Sequence, residues 1–383
     1  MLKNFFKKIN SPWAVFILTA IFYGFFISLQ LINNNYDFSR FVVAGDKFSD
    51  VKEVFPNLTV EKNSWGYDGQ FYYRLALNPF TKNQTEYGVR LDLPALRQQR
   101  IAYPLVVWLL SFSQPALVPI FLLIVNYLAL CTIGWLAGKV LQLFNVNALW
   151  GIFLSFYPGF LFTLSRDLTE ILAVFFLLAS LFFYKTNKYF FLSLALIFTV
   201  LTRETNFIFL IALFVASLYL YWSKKERNYK LVLYSSIAPV LVFLFWHFYL
   251  HSVWGTWPLF IDSHFNTYLI PLYGLISSLL IIKTINSFYW LEIGFLATLI
   301  LISVYSLKFS KVDLVIKISW FFYFILFLSF SKNIWVEDWT FLRVVADLYL
   351  FSLLIILPTK RKINNLIYFY ALFLWLRIFL RLT

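Results

Sequence analysis

The sequence predicts an all-α polytopic membrane protein, a bundle of about 11 transmembrane helices with one long outer loop carrying interfacial helices. Three observations predict it. Of the 383 residues 61% are hydrophobic and only 13% charged, whereas soluble domains run at about 45–50% apolar and about 25% charged. Apolar runs long enough to cross a bilayer core of about 30 Å recur along the chain. The formal charge of +14 falls in short connections on one face, the pattern expected of a cytoplasmic side. Nucleic-acid binding is therefore not needed to explain it. One cysteine, Cys131 in an apolar run, excludes an intrachain disulfide, and three histidines leave no His-rich metal centre.

The elements follow in order. Residues 1–12 begin with MLKNFFKK, a basic cytoplasmic start, and the apolar run 12–32 is a first span. Asn33-Asn34-Asn35 follows it where a cleaved signal would carry small residues, so it reads as an uncleaved anchor. Residues 33–115 form the outer loop, the polar part of a single integral-membrane domain, 1–383. Its last piece, 101–113, is too short to span and is broken off by Gln114-Pro115, which suits an interfacial helix.

The bundle, 116–383, starts with spans at 116–138, 147–163, 168–184, 188–202, 206–222 and 230–250. Lys139, Lys185, Lys188 and the KKERNYK run 224–230 fall inside; the turns at Arg166–Glu170 and Arg203-Glu204 fall outside. Both 268–283 and 288–307 are apolar enough to cross. If both did, Lys308, Lys311 and Lys360–Lys362 would lie outside, against the positive-inside rule. One of the two therefore lies in the interface; Pro271 and Gly274 favour 268–283, with 288–307 the alternative. Spans at 313–330, 340–358 and 364–380 complete the bundle.

In this topology only Glu226 and Asp313 of the 18 acidic residues face the cytoplasm. Asp262 is among the others. Acids hardly influence orientation, so the asymmetry marks the outer face as the group-rich one. Asp68 stands at the centre of its loop, in GYDGQFYYRLALNPF (66–80), with Tyr67 and Gln70 beside it and aromatic residues behind. Gly69 permits close backbone approach. The plain structural alternative is a surface Asp in a glycine turn ahead of an interfacial helix.

Further outer clusters are Arg97–Arg100, Arg166-Asp167 with Glu170, Arg203-Glu204, and Glu337-Asp338 with Arg343. Asp167 and Glu170 share a face if helical. Local ion pairs, Arg166 with Glu170 and Arg203 with Glu204, are the structural explanation of each cluster taken alone. Charge at a membrane boundary is costly and points to function. Arginines and tyrosines around a carboxylate suit transfer of a sugar from a lipid-linked phosphate. The arginines would bind and neutralise the phosphate, and Asp68 would accept a proton from the attacking hydroxyl. No glycine-rich phosphate loop, H-E-x-x-H or G-x-S-x-G motif is present, which removes nucleotide hydrolysis, metalloprotease and serine hydrolase readings.

On these residues the chain resembles the GT-C superfamily of integral-membrane glycosyltransferases. The pattern is nearest to the family of the second GPI mannosyltransferase and its bacterial relatives in cell-surface glycopolymer formation. Trp65-Gly-Tyr-Asp68 occupies the place of the family's catalytic Asp in the first outer loop. Arg100-Ile-Ala-Tyr103-Pro104-Leu105 resembles its R-x-Y-P-L segment, Arg166-Asp-Leu-Thr-Glu170 its polar turn, and Leu201-Thr202-Arg203-Glu204 its L-T-R element.

The resemblance implies Asp68 as catalytic residue. It implies substrate or phosphate contacts from Tyr67, Gln70, Arg100, Arg166, Asp167, Glu170, Arg203, Glu204, Asp338 and Arg343. The donor would be a polyprenyl-phosphate-linked hexose such as mannose, and the acceptor a cell-surface glycan, lipid or protein. The expected place is a bacterial inner membrane, with the active face periplasmic or extracellular and membrane lipids, not nucleic acid, as surroundings. No cofactor is expected. An Asp-x-Asp is missing at Asp68, so a divalent metal is possible but not indicated. A polyprenyl-linked glycan flippase or transporter, which would place charges near the midplane, and a non-catalytic assembly subunit remain alternatives.

Overall fold

The computed structural model describes residues 10–224, 227–260, 267–281 and 287–383. The basic start at 1–8, Glu226, Asp262 and the end of the 268–283 segment lie outside the described residues. The chain is predominantly helical. Six helices are long and apolar enough to cross a membrane, or up to seven when a bent pair is one span.

Helix α1, Pro12–Asn33, begins on a proline at its first turn, where the missing N–H costs nothing. Its 22 residues rise about 33 Å, enough for a hydrocarbon core. Trp13, Ile17, Ile21 and Phe25 are spaced by four and each more than half exposed, while Val15, Thr19, Tyr23 and Phe26 are buried. The helix is apolar all round, and its exposed stripe presents the surface that lipid requires.

The loop then folds as a cap. Strands β1 (Ala44–Gly45) and β2 (Val60–Glu61) pair in parallel, and α2 (Gly69–Leu77) follows them, entirely buried. Strands β3 (Thr85–Glu86) and β4 (Val89–Arg90) form a hairpin turning on Tyr87 and Gly88. Both turn residues have positive φ, as the twist of a two-residue hairpin demands. Helices α3 (Pro94–Gln98) and α4 (Ala102–Ser111) end the cap. The 101–113 segment is thus the short helix its length predicts.

Helix α5, Val118–Leu143, is central; α1, α4 and α8 (Glu170–Lys185) all pack on it. Between them, the region expected as one span at 147–163 differs from the reading. It breaks at Phe156-Tyr157 into α6 (Ile152–Ser155) and α7 (Pro158–Leu164) after a 3-10 turn at Ala148–Gly151. Pro158 lacks the N–H a continuous helix would use and restrains Tyr157 to extended backbone, which Tyr157 adopts at ψ 127°.

Helix α9 is Tyr189–Thr202, α10 Phe207–Lys224, α11 Arg227–Ser235 and α12 Ile237–Trp254. The segment before residue 282 forms α13, Tyr273–Ile281. The chain entering it pairs with the end of α15 (Leu314–Leu328): the Tyr268 and Leu272 N–H groups donate to the Ser329 and Leu328 carbonyls. Helix α14 (Ser287–Leu307) precedes α15, and α16 (Lys332–Trp335) follows it. The segment expected to span at 340–358 is bent by 54° between α17 (Asp338–Val344) and α18 (Ala346–Ile356). Helix α19, Asn364–Leu382, closes the chain against α1: Gln30 donates to the Leu382 carbonyl and Asn33 to that of Thr383.

At the far end of the bundle Lys185 pairs with Asp313 at 2.7 Å, and Lys360 donates to the Asn145 carbonyl. Lysine-rich connections therefore meet at one end, away from the cap.

Candidate active site

The cap meets the bundle at Asp68, the residue before α2. Gly69 makes that meeting possible. A Cβ there would lie 2.4 Å from the Arg166 carbonyl oxygen and 2.6 Å from that of Val42, both backbone. Only glycine lets the 166–170 turn sit against the Asp68 backbone.

Asp68 holds two arginines. Arg97 Nη1 lies 3.1 Å from Oδ1, and Arg343 Nη1 and Nη2 lie 3.5 Å from Oδ2. Arg97 also grips Asp92 in a two-pronged bond at 2.8 and 2.7 Å, and its guanidinium stacks over Phe71. Arg343 reaches on to Glu170 Oε1 at 3.2 Å. Burial by itself would raise the Asp68 pKa; Arg97, Arg343 and Arg100 outweigh it and hold the carboxyl at about 2. The side chain keeps 19% of its surface accessible, beside a cleft of about 240 Å³ lined by Phe48, Trp65, Tyr67, Asp92, Arg97 and Arg343.

Arg100 donates to Glu204 through Nε at 2.8 Å and Nη2 at 2.5 Å, and through Nη1 to the Tyr72 hydroxyl. This pair ties the cap to the α9–α10 turn. Arg203 turns inward: it is 4% exposed, with Asp347 Oδ2 3.6 Å from Nη1. The local pairings expected from sequence do not form. Glu170 goes to Arg343 and Glu204 to Arg100, because side chains close in space outcompete near neighbours whose backbone points them apart.

Asp167 and Glu170 do not share a helical face. Asp167 has φ +48° and precedes the helix that opens at Glu170. Its carboxyl is fully buried, no hydrogen bond reaches either oxygen among the described residues, and burial pushes its pKa well above the ordinary aspartate value. The shift runs opposite to that of Asp68.

Gln70 is buried under the cap. Its side-chain oxygen accepts from the Gly45 N–H and the Ser49 hydroxyl, and its amide donates to the Trp65 carbonyl. That uses its hydrogen-bonding groups to hold the loop. Tyr67 lies against two guanidiniums, Arg166 and Arg343, each 5.2 Å from its ring centre. Asp338 pairs with Arg381 of α19.

The structure thus gathers Tyr67, Asp68, Arg166, Glu170 and Arg343 in one cluster, with Arg100 and Glu204 beside it. Arg203 and Asp167 stand behind it, in the core. Sequence reasoning did not single out Arg97 by itself, nor Asp92, Trp339, Asp347 or Arg381. Arg381 lies 313 positions after Asp68, the difference of the two residue numbers, and no short motif spans such a distance. Among the described residues no group of three His, Cys, Asp or Glu side chains is placed to share a metal ion.

Fold and site together define a class: a predominantly helical integral membrane protein with arginines and carboxylates clustered where its loop meets the bundle. Compared with protein-family models, curated proteins and solved structures, the chain matches none.

Proposed function

We propose that the protein is a GT-C type membrane glycosyltransferase, moving a hexose from a polyprenyl-phosphate donor to a glycan, lipid or protein acceptor. In this reading the chain crosses the membrane eleven times, as the sequence predicts, with the broken 148–164 segment and the bent α17–α18 pair each making one crossing. The cap then faces outward. The observation that carries the proposal is Asp68: a carboxylate kept ionised by Arg97 and Arg343, open to a cleft, at the boundary between a polar cap and apolar helices.

The chemistry follows from those charges. An acceptor hydroxyl oxygen attacks the anomeric carbon, and the bond from that carbon to the phosphate oxygen breaks with its electron pair going to phosphate. The hydroxyl proton passes to Asp68. A carboxylate with a pKa of about 2 is a weak base, so the transfer comes late, once the new C–O bond has made the hydroxyl strongly acidic. Until then Asp68 orients the hydroxyl. Guanidiniums in a partly dry site stabilise the charge growing on the departing phosphate.

Asp68→Asn keeps the shape and removes the proton acceptor. Transfer from a prenyl-phosphate hexose, assayed in membranes with protein level checked in parallel, is expected to fall by about 10²–10⁴-fold. An Asp46→Asn protein is expected to keep its activity, since Asp46 caps the Asn63 and Ser64 N–H groups within the loop. A well-expressed, fully active Asp68→Asn protein would eliminate the catalytic reading and leave transport or assembly.

A further inference from the structure

Apart from the exposed Arg90 of the cap hairpin, one arginine at this end of the bundle has no carboxylate within 4 Å among the described residues. Arg97, Arg100, Arg203, Arg343, Arg377 and Arg381 each have an acidic oxygen within 4 Å. Arg166, partly buried, has none among the described residues; its Nη1 donates only to the neighbouring Ser165 hydroxyl at 2.9 Å. Its guanidinium is packed instead among the rings of Tyr67, Phe162 and Trp339, at 5.2, 5.5 and 5.2 Å. Arg381 lies by two of the same rings, 5.8 Å from Phe162 and 5.6 Å from Trp339. The charge of Asp338 reaches Arg166, but Arg381 holds that carboxylate, and a partly desolvated cation with no carboxylate of its own is unfavourable. Two cations sharing Phe162 and Trp339, with Arg343 behind Tyr67, are a charge arrangement that calls for an anion.

The surroundings say what carries that anion. Arg381 ends α19 on the side of the cap, and Asp338 takes its Nη1 edge. Below it Leu366, Phe369, Phe373, Leu376 and Leu380 follow one another at spacings of three and four, all exposed. They form one outward stripe, and the stripe stops at Arg381. On the same helix, Phe379 stacks on Phe25 of α1. An apolar stripe topped by arginines at a membrane boundary fits a long-chain lipid with its phosphate in the head position.

We infer that Arg166 and Arg381, flanking Trp339, hold the phosphate of the long-chain prenyl-type lipid, whose tail lies along the exposed face of α19. This assignment deepens the glycosyltransferase reading and rests on it for the class of lipid. It gives Arg343 a different task, positioning Asp68, and places the lipid phosphate on the other side of Tyr67.

The test is binding, not turnover. Full-length protein in phosphatidylcholine nanodiscs is titrated with farnesyl phosphate, and in parallel with inorganic phosphate and with phosphatidylglycerol. Farnesyl phosphate is expected to bind saturably, and Arg166→Gln to weaken it by about ten- to a hundredfold, the loss of a charge-assisted bond. Arg381→Gln, at a more exposed position, is expected to weaken it at least about tenfold and carries the test if Arg166→Gln does not fold. Asp46→Asn, which alters only a cap within the loop, is expected to bind as the unaltered protein does. Unchanged farnesyl phosphate affinity in folded Arg166→Gln and Arg381→Gln proteins would overturn the assignment, and so would no binding to the unaltered protein. Equal competition by inorganic phosphate or phosphatidylglycerol would overturn the choice of lipid. If Asp68→Asn transfers sugar at full rate while Arg166→Gln loses binding, the proton-acceptor role falls and the lipid site stands.

Discussion

Asp68 and Asp167 show how far environment decides what a carboxyl group is. Both come from the polar, group-rich side of the sequence. Asp68 faces two guanidiniums, which hold its pKa down; Asp167 has no hydrogen-bonding partner among the described residues, and burial pushes its pKa up. The Asp68 shift has a consequence for acid stability. Its pKa is depressed on folding, so its contribution is fully present above the unfolded value of about 3.9 and is lost as pH falls through about 2. Thermal unfolding scanned from pH 6 to pH 2 is expected to show an acid loss below about pH 4 that Asp68→Asn makes shallower. Arg343 is the second residue to test. It contacts Asp68 with two nitrogens and Glu170 with one, a span that a planar fork makes and an ammonium does not. Arg343→Lys is therefore expected to lower transfer by about tenfold or more although the charge is kept. Normal turnover would assign Arg343 a structural role only.

At the scale of elements, the site exists because the start of α2 is pressed against the turn before α8. Gly69→Ala would drive a methyl group into two carbonyl oxygens that belong to backbone, not into side chains free to swing away. The expected cost is about 1–3 kcal/mol, and the displacement separates Asp68 from Arg343. Transfer is expected to fall more than the melting temperature does, and a variant with unaltered activity would show that this contact does not set the site. The cap is anchored to the bundle from its other end by Arg100 on Glu204 and by Trp254, whose indole donates to Gln98 at 2.6 Å. The loop is thus held from α2, α3 and α12 together.

For the whole molecule the decisive question is sidedness. Lysines gather at the end with Asp313 and Asn145, and the cap with Arg381 at the other. In a Cys131→Ala background, cysteines placed in the 34–100 loop and around 335 are expected to react with an impermeant thiol reagent added outside. Cysteines at 224–230 and 360 are expected to react only after permeabilisation. Labelling of both groups from one side would refute the eleven-crossing arrangement.

Much of this architecture was legible in the sequence because bilayer crossing is a local property. A run such as 12–32 or 116–138 announces itself through length and composition, whatever surrounds it. Asp68 was legible for a similar reason: a carboxylate between Tyr67 and Gly69, ahead of Phe71-Tyr72-Tyr73, is conspicuous in a loop. What only the tertiary structure decided is pairing. Glu204 stands next to Arg203 in the chain yet bonds Arg100; Glu170, four residues from Arg166, bonds Arg343; and Arg166 is left among aromatic rings. The break before Pro158 was missed because an apolar run hides a proline that the neighbouring helices accommodate. Ion pairs form across distances of space, and a sequence lists only distances along the chain. Which arginine lacks a carboxylate is therefore a property of the packed bundle alone.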